Sequence, residues 1–106
     1  MKKVKIKTTI KNLRNKPIKD GVSRVFLKVG DFMANQLAVA TKFAPLEVLR
    51  ALETAKAIES AAGQGKAFIE LEDADFELLR KAVEQNAAGD AVLFQAQVLK
   101  ALNEAE

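Results

Sequence analysis

The chain has 106 residues, with 17 basic and 14 acidic side chains and neither cysteine nor histidine. This length predicts one domain that buries roughly 65% of its unfolded surface. The lack of cysteine excludes disulfides and thiolate chemistry, and the lack of histidine removes a common zinc ligand and the side chain best suited to proton transfer near neutral pH.

The charge is divided unevenly along the chain. Residues 1–30 carry ten basic side chains and one acidic one, a net charge of +9, whereas residues 31–106 carry seven basic and thirteen acidic ones, a net charge of −6. Such a basic arm is typical of binding to an anionic partner. The alternative is that the arm faces the acidic half of its own chain or of another copy. The candidate binding residues are Lys3, Lys5, Lys7, Arg14, Arg24 and Lys28.

Residues 3–10 are predicted to form a strand, because Val4, Ile6, Thr8 and Ile10 alternate with lysines and Thr9. A turn-rich stretch follows over 11–21, and a further strand over 22–29 would give a basic hairpin arm over 1–29. The short alternating stretch 67–71 predicts another strand. The basic start leads into no signal-peptide apolar run, and no stretch approaches ~20 apolar residues, so we expect a cytoplasmic chain without a membrane span.

Four helices are expected, over 30–41, 45–62, 74–85 and 91–104. Their apolar stripes predict the residues that face the core. These are Val29, Phe32, Met33, Leu37 and Ala40 for the first helix, Val48, Leu49, Leu52, Ala55 and Ile58 for the second, and Phe76, Leu79 and Val83 for the third. Asp73 is predicted to be the N-cap of the third helix, because its carboxylate can accept backbone N–H groups of the first turn.

The last helix has apolar residues around more of its circumference than one buried face needs. They are Ala91, Val92, Leu93, Phe94, Val98, Leu99, Ala101 and Leu102. Either this helix is central in the monomer or its second side contacts another copy. We expect homo-oligomerisation, as a dimer or larger, through the side that carries Val92 and Leu99.

Patterns that could carry catalysis or metal binding are incomplete. Asp73, Asp75, Glu77 and Glu84 match the spacing of a calcium loop, but Leu78 stands where that loop needs glycine. The stretch 63–66 (GQGK) lacks the length of a phosphate-binding loop and is explained by helix termination. We therefore expect no enzymatic activity, no catalytic residues, no metal and no cofactor.

Four segments together resemble a loose group of small phage and prophage accessory proteins. They are 7–13 (KTTIKNL), 16–21 (KPIKDG), 32–37 (FMANQL) and 69–76 (IELEDADF). The group shares an N-terminal strand that ends near a Pro-x-x-Asp turn, a short helix with Ala-Asn, and an acidic entry into the third helix. Where the group has a glycine turn, this chain has Asn15 and Lys16. The resemblance implies a small non-enzymatic viral protein that acts by binding, in the host cytoplasm, and it assigns no role to individual residues.

The expected fold is a single α+β domain in which four helices pack on a small two- or three-stranded sheet. The expected function is that of a phage-type accessory protein that binds a host or defence-system macromolecule as a homo-oligomer. Two alternatives stay open. One is nucleic-acid binding by the basic arm, and the other is sequestration of a small, nucleotide-like anion at a subunit interface lined by the same cations.

Overall fold

The computed structural model describes residues 1–19, 26–86 and 92–106. Two strands and four helices follow one another in this part of the chain: β1 (Lys2–Lys5), α1 (Val29–Val39), α2 (Pro45–Gly63), β2 (Phe68–Leu71), α3 (Asp73–Asn86) and α4 (Val92–Asn103). The strands pair antiparallel, from Lys2 opposite Leu71 to Lys5 opposite Phe68. The predicted α+β class, with four helices and a small sheet, is confirmed.

The regular part of β1 is shorter than the predicted strand over 3–10. Ile6 and Ile10 are still fully buried, but Thr8 is exposed, so the alternation of inward and outward side chains ends after Ile6. The extended chain beyond β1 lies beside residues 26–28 through single bridges such as Thr9 with Lys28. Of the further strand expected over 22–29, residues 22–25 lie outside the described part, and Val29 already begins α1.

Helix α2 turns a different side to the core from the one its aliphatic residues predict. Its buried side is made mainly of small residues: Ala51, Thr54, Ala55, Ile58 and Ala61. Ala55 and Ile58 were predicted correctly, whereas Val48, Leu49 and Leu52 are exposed. Small side chains let neighbouring helices approach closely, and α1, which packs on α2, also buries Gly30 and Ala34.

The N-cap prediction for Asp73 is wrong by one residue. Helix α3 begins at Asp73 itself, so the N-cap position falls on Glu72, whose carbonyl accepts the N–H of Phe76 at 2.9 Å. The Asp73 carboxylate is largely exposed and lies 3.7 Å from the ammonium group of Met1. Asp73 can therefore stabilise α3 through the helix dipole, which is a screened and smaller effect than a capping hydrogen bond.

We expect Asp73→Ala to lower the free energy of unfolding by about 0.5 kcal/mol, because it removes one negative charge from the first turn of α3. Urea unfolding in low salt and again in about 1 M salt tests this, since ions screen a dipole interaction but leave a capping hydrogen bond largely intact. A loss that stays the same in high salt would show that Asp73 does act as a cap.

Helix α4 packs against α1, α3 and β1. Val98, Ala101 and Leu102 are buried, and Phe94 and Leu99 are partly buried against the same core. Val92 is 83% exposed, and Ala91 lies outside the described residues. Much of the apolar circumference of α4 is thus covered within its own chain. In the described ranges, no helix is both long and apolar enough to cross a membrane.

Candidate functional site

The largest aliphatic side chains of α2 point away from the core. Leu46, Leu49 and Leu52 follow one another at three-residue intervals, and Val48 lies four residues before Leu52. Leu46 is 87% exposed and Leu49 is 68% exposed, and the other two are also exposed. Residues three and four apart are neighbours on a helix surface, so the four side chains form one apolar area, here called the α2 apolar face. Clustered exposed apolar side chains of this kind mark interaction sites in soluble proteins.

An open cleft with a volume of about 680 Å³ lies where the α2 apolar face meets β2. Leu46, Leu49, Ala57 and Ile69 give this α2–β2 cleft its apolar surface. Carboxylates stand around it, supplied by Glu53, Glu70, Glu72 and Asp75. The cleft therefore combines apolar walls with a negative rim.

Arg50 crosses this rim and neutralises part of it. Its Nη2 donates to Glu72 Oε2 at 2.9 Å, and its Nε donates to Asp75 Oδ1. The hydrogen bond and charge of Asp75, with those of Glu72, raise the pKa of the Arg50 guanidinium above its usual value. Within the described residues, Glu53 and Glu70 have no ion-pair partner. These two carboxylates leave the α2–β2 cleft with uncompensated negative charge.

At Leu46, the α2 apolar face also borders a second cleft of about 520 Å³ between α2 and α3, whose lining includes Leu78, Glu47 and Lys81. Glu47 Oε1 accepts the N–H of Ala44 at 2.9 Å and lies 3.3 Å from Lys81 Nζ. The backbone hydrogen bond from Ala44, together with Lys81, lowers the pKa of the Glu47 carboxyl group. Glu47 and Lys81 therefore form a neutral pair, and Glu77, which also lines this second cleft, has no ion-pair partner among the described residues.

The five predicted cations that the structure describes are spread over β1, the residues after it and the residue before α1. Lys3 and Lys5 lie on β1, Lys7 follows it, and Arg14 is in the turn over 11–16, while Lys28 directly precedes α1. Arg24 lies outside the described residues. Lys5 Nζ is 3.6 Å from Glu104 of α4, so at this residue the arm does face the acidic half of its own chain. Among the described residues, no carboxylate lies within ion-pair distance of Lys3, Lys7, Arg14 or Lys28.

The turn after the basic strand is closed by its own hydrogen bonds. The Oδ1 of Asn12 accepts the N–H groups of Arg14 and Lys16 at 2.9 and 3.1 Å, and Asn15 adopts a φ of 62°. Asparagine tolerates this left-handed conformation better than most residues other than glycine, so it can close this turn. Leu13, at the outer end of the turn, is 93% exposed.

A third cleft, of about 380 Å³, separates the residues after β1 from α4. It contains Lys5, Lys11 and Lys100 together with Glu104, Thr8 and Thr9. Of the predicted cations that the structure describes, Lys5 alone lines this cleft. Gln97 of α4 closes one side of it, because its amide accepts the Lys11 N–H at 2.8 Å and donates to the Lys11 carbonyl at 2.6 Å.

The sequence indicated the basic arm but not the α2 apolar face, because Val48, Leu49 and Leu52 were assigned to the core and Leu46 was not singled out. The described residues contain no group of three or more acidic side chains arranged to hold a metal ion. Neither a family model, nor a curated protein, nor a solved structure matches the chain.

Proposed function

We propose that the chain is a non-enzymatic, phage-type accessory protein that binds a host or defence-system protein through its α2 apolar face. The observation that carries this proposal is the exposure of four large aliphatic side chains on one helix beside an acidic cleft. The phage-type role is supported by the four sequence segments that resemble phage accessory proteins. Site of action and oligomerisation belong to the same proposal: the host cytoplasm, as a homo-oligomer.

The α2 apolar face favours binding energetically. Complete burial of a leucine or valine side chain contributes about 1.5–3 kcal/mol, so two or three of them suffice as an anchor for a partner. Burial by a partner gives these aliphatic residues a role that the core of their own chain does not give them.

The rim predicts the chemistry of the partner. Glu53 and Glu70 are negative and lack an ion-pair partner within the described ranges, so a segment with lysine or arginine beside its apolar residues would be attracted to the cleft. An acidic segment would be repelled. The favoured occupant of the α2–β2 cleft is therefore a basic, partly apolar protein segment.

Nucleic-acid binding by the basic arm has less support. Single strands are held mainly by aromatic side chains on which bases stack. Lys3 Nζ lies 4.5 Å from the centre of the Phe68 ring, and Lys19 Nζ lies 5.2 Å from that of Phe26. Lysines thus already occupy one face of both partly exposed rings. The 380 Å³ cleft with three lysines is the site that best suits the other alternative, a small anion.

Leu49→Asp is expected to abolish partner binding while changing the free energy of unfolding by less than about 0.5 kcal/mol, because Leu49 is a surface residue. Affinity capture from host lysate would measure binding, with each captured protein identified and then tested in purified form.

Val92→Asp is the matched control, since Val92 is also an exposed aliphatic residue but lies on α4. We expect this variant to retain the partner. If the purified partner bound Leu49→Asp as tightly as the unmodified chain, or if Val92→Asp alone lost it, the α2 apolar face would not be the docking surface.

A further inference from the structure

We infer that the basic turn over residues 11–16 of one copy inserts into the α2–β2 cleft of a second copy, so that the chain assembles head to tail. The inference rests on the proposed function, because it names a second copy as an occupant of the same docking surface. It accounts for the +9 and −6 division of charge as an attraction between subunits.

The turn has the chemistry that the cleft requires. Leu13 projects almost completely into solvent, and Lys11, Arg14 and Lys16 surround it. None of these three cations has an ion-pair partner within the described residues. A single exposed leucine is common on protein surfaces, but here it is held between three unpaired positive charges.

The turn is also prepared for insertion. Its backbone is fixed by the two hydrogen bonds to Asn12 Oδ1 and by a further one from the Asn12 N–H to the Lys16 carbonyl at 2.8 Å. Its base is attached to α4 by both hydrogen bonds between Gln97 and Lys11. A segment that is already ordered loses little conformational entropy on binding, which favours affinity.

The cleft complements this turn in both polarity and charge. Leu46, Leu49 and Ile69 can surround an inserted leucine, and Glu53 and Glu70 lie at the same cleft to receive the cations. Its volume of about 680 Å³ admits part of the turn's backbone along with the leucine side chain.

The contact joins two different surfaces. The turn is attached to α4, whereas the cleft lies between α2 and β2. When the same two copies do not return the contact to each other, it is heterologous and generates a ring or an open chain of subunits, whereas a reciprocal exchange closes a two-fold dimer. This geometry differs from the self-association through Val92 and Leu99 that the sequence suggests.

A charge exchange between the two surfaces tests the inference. One variant reverses the charge of the turn (Arg14→Glu with Lys16→Glu), and the other removes the negative charge of the cleft and adds a positive one (Glu53→Lys with Glu70→Gln). Glutamine is chosen at position 70 because Glu70 lies opposite Lys3 in the sheet, where a lysine would be repelled. Sedimentation at about 100 µM, a concentration well above a micromolar Kd, would report the mass of each variant and of their equimolar mixture.

We expect the unmodified chain to form assemblies larger than a dimer and each variant to sediment as a monomer. The equimolar mixture should form at least a heterodimer, because the unaltered turn of one variant can attract the unaltered cleft of the other. Leu13→Asp should also give a monomer. Because Leu13 and all four exchanged residues are exposed, correct folding of the variants can be checked by unchanged thermal unfolding.

A monomeric unmodified chain, assemblies that persist in both variants, or a mixture that stays monomeric would each overturn the inference. If the monomer instead bound single-stranded nucleic acid with steep salt dependence, the basic turn would serve that partner. Failure here is separable from failure of the proposed function. If the unmodified chain is a monomer that binds a purified foreign partner, and Leu49→Asp abolishes that binding, the α2 apolar face is still a docking surface and only the contact between copies is disproved.

Discussion

Gly30→Ala is expected to lower the free energy of unfolding by about 2 kcal/mol, although alanine favours helices more than glycine does. Gly30 lies in the first turn of α1, where its N–H donates to the Ile6 carbonyl at 3.1 Å. An added Cβ would lie 2.8 Å from that carbonyl oxygen and 2.9 Å from the Ile6 Cβ. The extended segment after β1 must then move away from α1, and the fully buried Ile6 would move with it.

Gly63→Ala provides the control for this effect. Gly63 is the last residue of α2, and a Cβ built there has no neighbouring atom within 4 Å. We expect this variant to be as stable as the unmodified chain or more stable by up to about 1 kcal/mol. Urea unfolding of both variants measures the difference. Equal stability of Gly30→Ala and the unmodified chain would contradict the close packing of α1 on the segment at Ile6.

The helices and strands of this fold could be predicted from the sequence, but the packing between them could not. Helical spacing and Pro45 identify α2, and alternation identifies β1 and β2, because these signals are local. Which side of a helix is buried depends on what packs against it. In α2, residues at helical spacing form two apolar sides, one aliphatic and one rich in alanine. Which of the two is buried depends on how closely α1 can approach.

Thr54 shows what the sequence alone does not reveal about the buried side of α2. A threonine usually indicates a half-exposed position, but Thr54 is buried because its Oγ1 donates to the Arg50 carbonyl within the same helix. Hydrophobicity alone therefore favours Leu49 for the core over Thr54. The outcome places the aliphatic residues at the surface, where the candidate site lies.

The electrostatic part of the site was partly predictable. Composition identifies the basic arm, since ten cations within thirty residues need no structure to be counted. Pairing could not be predicted, because Lys5 meets Glu104 from the opposite end of the chain. The sequence likewise shows many carboxylates, but only the fold distinguishes Glu72, which pairs with Arg50, from Glu53, which lacks such a partner in the described part.

A buried pair of glutamines joins α1 to α4, and sequence reasoning did not foresee it. Gln36 is not among the core residues that the sequence predicts for α1, yet both Gln36 and Gln95 are buried. Gln36 Nε2 donates to Gln95 Oε1 at 2.6 Å, and Gln95 Nε2 donates to the Val83 carbonyl at 2.9 Å. A buried amide is stable when such hydrogen bonds replace those it makes with water. This chain of bonds therefore fixes α4 relative to α1 and α3.

Gln95→Leu is expected to lower the free energy of unfolding by about 2 kcal/mol, because the hydrogen bond from Gln36 Nε2 and the one to the Val83 carbonyl are both lost inside the core. Gln36→Leu should have a similar effect. The double variant Gln36→Leu with Gln95→Leu should be clearly more stable than the sum of the two losses predicts, since replacing both partners with apolar groups leaves neither of the two amides buried. Urea unfolding of the four proteins gives the coupling energy. Additive losses would mean that the two side chains do not interact. Other contacts would then have to fix the position of α4. That position matters because Gln97 of α4 holds the basic turn.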